Sequence, residues 1–176
     1  MRPVLLIIAG PNGSGKDIAR DRFGDWNSPE AVLAAAKWTT NRREELLAQG
    51  GGIAFETVFS SEEAKGYFVR VFYISTADPR INAFRVAARV LQGGHTVPIE
   101  KIISRYLRSM ANLTAAALLA DRVYVYDNSI DGVEARLCGR TQEGRLRKIY
   151  GDLPDWVHEA LTPLPRHEDF VDLRVA

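Results

Sequence analysis

Cysteine is nearly absent from this chain. The single thiol, Cys138, excludes an internal disulfide and fits a reducing compartment. A surplus of one charge is missing too: 23 Lys and Arg stand against 22 Asp and Glu, so no net field draws the protein to nucleic acid or to a membrane surface. No apolar run approaches the ~20 residues that a membrane-spanning helix needs, and no basic leader with an apolar stretch and a small-residue cleavage site starts the sequence. Together these absences predict a soluble, cytoplasmic protein with neither nucleic acid nor membrane as partner. There is no internal repeat and no low-complexity segment. His95, His158 and His167 are too scattered to suggest a metal site. What remains is a chain of 176 residues, the length of one domain with a real core.

The most informative stretch lies near the start. The apolar run Val4-Leu5-Leu6-Ile7-Ile8-Ala9 reads as a buried strand, and Gly10-Pro11-Asn12-Gly13-Ser14-Gly15-Lys16 follows it directly. Glycines let the backbone curl so that successive N–H groups converge on an anion, and the lysine adds positive charge at the outer phosphates. Strand and loop together predict a Walker-type phosphate loop for a nucleoside triphosphate, ATP or GTP, with Mg²⁺. The competing reading is a surface turn. One residue departs from the pattern: where Ser or Thr would hold Mg²⁺, this chain has Asp17.

Downstream, strand and helix patterns alternate, which is the signature of an α/β fold with a mostly parallel sheet flanked by helices. Asp17 to Phe23 reads as a short helix. Ser28 caps a longer one with Pro29 at its first position, and Gly50-Gly51-Gly52 closes it after Leu47. Ile53–Phe59 and Tyr67–Ile74 are β-rich. Asp78-Pro79 opens a helix over Arg80–Gln92 that Gly93-Gly94 ends; Pro98 starts another, running to about Ala120 with a break expected near Asn112. Arg122–Asp127 reads as a strand. Ala135–Cys138 and Leu146–Tyr150 flank Gln142-Glu143-Gly144 as a C-terminal hairpin, and a short helix near Trp156 precedes a tail.

Two places do not add up. If the strands ending near Phe59 and starting near Tyr67 are parallel neighbours, the crossover between them needs about a dozen residues or more, and fewer are present. The helix that follows a phosphate loop should also return through a second strand, yet no β-run intervenes before Ile53. Both anomalies predict that residues are missing from the chain after Lys16 and after about Ser61. The alternative is a degenerate fold with a hairpin at Ser60 to Gly66.

The motifs AGPNGSGK, IAFETVFSS, YISTADPRINAFRVAARVLQGGHTVPIEKIISRYLRSMANL and ADRVYVYDNS resemble the zeta-toxin-like branch of P-loop kinases. The likeness spans most of Val4 to Ser129 and extends more weakly to about Tyr150; GGHTVPIEKIISRY, with ANL and YDNS after it, is its most specific part. The resemblance implies a P-loop NTPase fold of the kinase type over residues 1–150, with a mobile lid at about 93–112, and then a C-terminal piece, 151–176. It implies transfer of a terminal phosphoryl group to a hydroxyl of a small metabolite; in the zeta toxins the acceptor is a UDP-activated N-acetyl amino sugar. An antitoxin protein is the partner that such a family suggests. The second reading, from a different class, is a nucleotide-binding protein without transferase activity that acts as a switch or as one half of a toxin–antitoxin pair.

The resemblance also distributes roles. It places a catalytic-base aspartate either at Asp17 or at a residue missing just before it, because DIAR here abuts Lys16. It gives acceptor binding to Glu56 and Thr57; the alternative for Glu56 is an edge-strand carboxylate facing water. It makes Arg89 the lid arginine that contacts phosphates, and gives His95 either a phosphate-facing or a loop-packing role. Residue patterns add the rest. Ile81, Phe84, Ala88 and Leu91 read as one apolar stripe, with Arg85 snorkelling to water beside it. Lys101, Arg105 and Arg108 form a basic stripe opposite Ile102, Tyr106 and Met110. That stripe is either a solvated face or a cluster for the transferring phosphoryl group, with Arg105 foremost. Asp127-Asn128-Ser129 meets a nucleobase or makes a turn.

Overall fold

The structure, a computed structural model, describes residues 2–14, 37, 40–42, 44–50, 53–57, 66–94 and 96–174. The expected junctions at 16/17 and between 59 and 65, the helix expected over 17–23 and the start of the one expected from 28 lie outside this set; residues 40–42 and 44–48 are helical, and the chain turns at Gly50, φ 68°, just after Leu47 as expected. A continuous apolar run at β1 and β-rich stretches after it build a seven-stranded sheet: β1 (Val4–Ala9), β2 (Ile53–Thr57), β3 (Phe68–Ser75), β4 (Arg122–Asp127), β5 (Arg136–Gln142), β6 (Arg145–Ile149) and β7 (Arg166–Asp172). Three helices are described from end to end: α1 (Pro79–Leu91), α2 (Ile99–Leu119) and α3 (Asp155–Leu161). Strand order is β2-β1-β3-β4-β5-β6-β7. The first four strands pair in parallel, as do β6 and β7, while β5 is antiparallel to both its neighbours. The class is therefore α/β, with a mostly parallel sheet flanked by helices.

Turn and cap chemistry explains the element ends. The Asp78 carboxylate accepts from the Arg80 N–H at 2.7 Å, with Pro79 already in the first helical turn, so α1 starts where a donor would otherwise be orphaned. The hairpin of β5 and β6 turns on Glu143 and Gly144, both at positive φ (50° and 74°), as a tight two-residue turn requires. Among the described residues, the fully buried side chains of the central strands lie on one face of the sheet. Leu5, Ile7, Val69, Val71, Tyr73, Val123 and Val125 alternate with half-exposed residues and pack with Leu113 and Ala117 of α2 and Trp156, Val157 and Leu161 of α3. Each fully buried aliphatic side chain of this kind contributes about 1.5–3 kcal/mol.

Four expectations change. β2 and β3 are not neighbours, because β1 lies between them and pairs with both. Helix α2 runs unbroken through Asn112, since Ile102, Tyr106, Ser109, Leu113, Ala116 and Ala117 keep one continuous buried stripe. The tail after α3 contains β7, whose charged sequence RHEDFVD hides its strand character. The stripe expected on α1 is out of phase: Phe84 and Leu91 are 71% and 90% exposed, and the fully buried positions are Asn82 and Val86. That helix docks through a polar side chain, for a reason that the loop beside it supplies.

Candidate functional site

The carboxyl ends of β1, β3 and β4 converge on the segment Gly10–Ser14. In open α/β sheets this edge is where ligands bind. Two glycines make the segment possible. Gly10 has φ 146°, and a Cβ there would stand 1.9 Å from the Ile74 carbonyl oxygen, so only glycine lets the chain leave β1 against β3. Gly13 has φ 78°, and a Cβ there would stand 2.7 Å from the Asn82 carbonyl oxygen. The Ser14 N–H closes the turn on the Pro11 carbonyl at 3.2 Å.

Two asparagine amides hold the loop's carbonyls. Asn82, fully buried on the inner side of α1, donates from Nδ2 to the Asn12 carbonyl at 2.7 Å, and its own Oδ1 accepts from the Thr76 hydroxyl. Asn128, just past β4, donates from Nδ2 to the Ser14 carbonyl at 2.9 Å, while its backbone N–H binds the Ser75 carbonyl at 2.7 Å. Arg85 then reaches from α1 to the Asn128 carbonyl at 2.8 Å and to the Asp131 carboxylate at 3.5 Å. With Asn12 and Ser14 carbonyls engaged, the Asn12 and Gly13 N–H groups have no partner among the described residues. The Ser14 hydroxyl is likewise buried and unpartnered.

Around this centre Tyr106, Tyr73, Asp127 and Asp78 are hydrogen-bonded. The Tyr106 hydroxyl of α2 donates to the Thr76 carbonyl at 2.8 Å, which sets that turn of α2 at the carboxyl end of β3. Burial pushes the Tyr106 phenol up to about 12, with Asp78, Asp127 and Glu159 adding to the effect. Burial also raises Tyr73 to about 12, and its hydroxyl meets the Ser109 hydroxyl at 3.0 Å. Both tyrosines are thus neutral hydrogen-bonding groups in the working range. The Asp127 carboxylate accepts from Trp156 Nε1 at 2.9 Å and from the Ser129 hydroxyl at 2.5 Å, and that hydroxyl accepts in turn from the Ala77 N–H at 2.8 Å. The Asp78 carboxyl sits below its usual range because Arg80 hydrogen-bonds it. Among the described residues no group of three His, Cys, Asp or Glu is placed to hold a metal.

Of the residues singled out from sequence, Gly10, Pro11, Asn12, Gly13, Ser14 and Asn128 come together here. Gly15, Lys16, Asp17 and His95 lie outside the described residues. The backbone of Glu56 and Thr57 ends β2, in register with Ile8 and Ala9, at the same edge of the sheet. Arg89 is half-buried in the last turn of α1. Lys101, Arg105 and Arg108 are exposed, opposite buried Ile102 and Tyr106 as expected, and the Tyr106 contact brings their helix to the same edge. No protein-family model, curated protein or solved structure matches the chain. The site therefore rests on its own residues.

Sequence reasoning missed Asn82, Thr76 and Arg85. The signal available was Asn82 itself, a poor helix former with an unspent amide in the second turn of a strongly capped helix. Arg85, expected to snorkel, is largely buried and turned inward because the Asn128 carbonyl offers it an acceptor.

Proposed function

We propose that the protein is an NTP-dependent phosphotransferase of the zeta-toxin-like, P-loop kinase type, which moves the terminal phosphoryl group of ATP or GTP to a hydroxyl of a small metabolite such as a UDP-amino sugar. One observation carries this reading: a strand-to-loop turn that only glycine permits, with alternate carbonyls tied back and the N–H groups of Asn12 and Gly13 left for an anion. The orphaned Ser14 hydroxyl is a further donor suited to a phosphate oxygen. In this reading Lys16 adds charge at the outer phosphates, Arg89 and Arg105 approach from α1 and α2, Asp17 serves as base, and Glu56, Thr57 and His95 are the acceptor-binding residues. Mg²⁺ comes with the triphosphate, since the ion is commonly held by one or two carboxylates together with substrate phosphates. The protein's part is positioning and positive charge, as phosphoryl transfer requires.

Asp17 favours a second reading. A carboxylate beside Lys16 repels phosphates and lacks the hydroxyl that holds Mg²⁺, which suits a nucleotide-binding switch, or the partner of an antitoxin, without transfer.

The test is transfer from γ-labelled ATP or GTP to a UDP-N-acetyl amino sugar. Turnover that disappears in Lys16→Ala without loss of fold supports the kinase, whereas nucleotide binding without turnover selects the switch. Lys16→Ala at full activity overturns the site. Arg105→Ala should lower kcat by orders of magnitude with little change in nucleotide affinity, because interactions made only in the transition state appear in rate. A change in KM alone would return the basic stripe of α2 to a solvated face.

A further inference from the structure

The loop is held from outside itself, and both holds trace to one helix. Asn82 of α1 grips the Asn12 carbonyl directly at 2.7 Å; Arg85, one helical turn on, grips the Asn128 carbonyl at 2.8 Å, and the Asn128 side chain grips the Ser14 carbonyl at 2.9 Å. The Asn82 backbone also closes on Gly13, near enough to exclude a Cβ there. From within, the loop is restrained by Pro11 and by the Ser14 N–H on the Pro11 carbonyl, but at its glycines both signs of φ are populated about equally readily, which leaves peptide planes free to turn. An external grip on alternate carbonyls fixes them. Each grip sets one peptide plane: the Asn82 contact turns the Asn12 C=O toward the protein and with it the Gly13 N–H, trans to that carbonyl, to the other side, while the Asn128 contact sets the plane that begins at the Ser14 C=O.

We propose that Asn82 and Asn128, the latter braced by Arg85, are positioning residues that preset the loop for a polyphosphate. This rests on the nucleotide-site reading above and adds to it which residues build the anion's seat. Helix α1 is then part of the site through its second turn, quite apart from Arg89 near its end. The inner face of the helix presents the Asn82 amide beside Val86, with the Arg85 guanidinium partly buried at its margin, so a polar side chain shares the docking face with an aliphatic one. Thr76 completes the arrangement. Its hydroxyl occupies the Asn82 carbonyl oxygen, which leaves the amide nitrogen as the group that faces the loop and fixes the side chain's orientation.

The substitution Asn82→Asp keeps shape and volume but cannot donate to the Asn12 carbonyl when ionised, and Asn82→Leu loses the donor without adding a charge, so a loss shared by both variants reads positioning while a loss in Asn82→Asp alone reads repulsion and counts against the proposal. Asn128→Asp likewise cannot donate at the second hold. Arg85→Ala removes the brace without touching the loop. Calorimetric titration with inorganic tripolyphosphate, without nucleoside or metal, reads the loop alone, and thermal unfolding of the same samples reads the fold. Tripolyphosphate should bind the parent chain, weaken at least tenfold in both Asn82 variants and in Asn128→Asp, and weaken several-fold in Arg85→Ala. The combined Arg85→Ala and Asn128→Asp chain should be no weaker than Asn128→Asp alone, since both act on one hold. If the Asn82 variants fail to fold, Asn128→Asp and Arg85→Ala carry the comparison. Parent-like affinity in folded Asn128→Asp and Arg85→Ala overturns the proposal while leaving the nucleotide reading in place. A parent chain that binds no tripolyphosphate overturns both.

Discussion

The two ends of the parallel strands use polar residues in opposite ways. At the carboxyl end, Asn82, Asn128, Thr76 and Arg85 each meet a backbone carbonyl or a neighbouring side chain, and the contacts run toward one loop. At the amino end, charge gathers around a ring. The guanidinium carbons of Arg2, Arg70 and Arg122 lie 5.6, 5.8 and 5.7 Å from the centroid of Phe68, and Arg70 and Arg122 are register partners on β3 and β4. Asp121 is the carboxylate there, accepting from Arg2 at 2.6 Å and from the Val69 N–H at 2.8 Å. Like charges side by side on a sheet are unfavourable, and a shared aromatic face offsets part of that cost. The difference teaches where to look for function. At the carboxyl end hydrogen bonds from residues distant in sequence hold the backbone of one loop, whereas at the amino end a charge cluster with its own local counter-ion ties strand starts together.

Substitutions at the two ends should therefore separate stability from binding. The largest effect is expected at Gly10→Ala, where the new Cβ meets backbone rather than a movable side chain. Urea denaturation should show a loss of about 3 kcal/mol, and triphosphate binding should disappear with it. Next is Asp121→Ala, which strands the Val69 N–H and releases Arg2. Stability should fall by about 1–3 kcal/mol with triphosphate affinity unchanged. A loss of affinity in that variant would mean that the two ends are coupled and the comparison is too simple. Smallest is Arg2→Ala, whose exposed side chain should be worth less than about 1 kcal/mol and should grow less important with added salt.

Much of this was legible in the sequence, and the reasons are local. Val4–Ala9, Phe68–Ser75 and Arg122–Asp127 announce themselves by β-rich composition, α1 by Asp78-Pro79, and the hairpin by Glu143-Gly144. What stayed hidden depends on partners distant in sequence. β7 is a strand because it pairs with β6 along a charged stretch, which no propensity marks. The phase of α1 was misread because hydrophobic periodicity assumes that a helix docks on apolar surface. Here it docks on loop backbone, so an amide faces inward and Phe84 faces out. Arg85 was misread for the same reason: the acceptor that draws it in, the Asn128 carbonyl, is 43 residues away.

The central claim is that Gly10–Ser14, continued through Lys16, is the seat of a triphosphate. Calorimetric titration of the full chain with ATP and with GTP in the presence of Mg²⁺, alongside Lys16→Ala, tests it most directly. The account expects one saturable site per chain for at least one of the two nucleotides, lost in Lys16→Ala while the thermal transition stays in place. Absence of binding for both nucleotides, or equal affinity in Lys16→Ala, would contradict it.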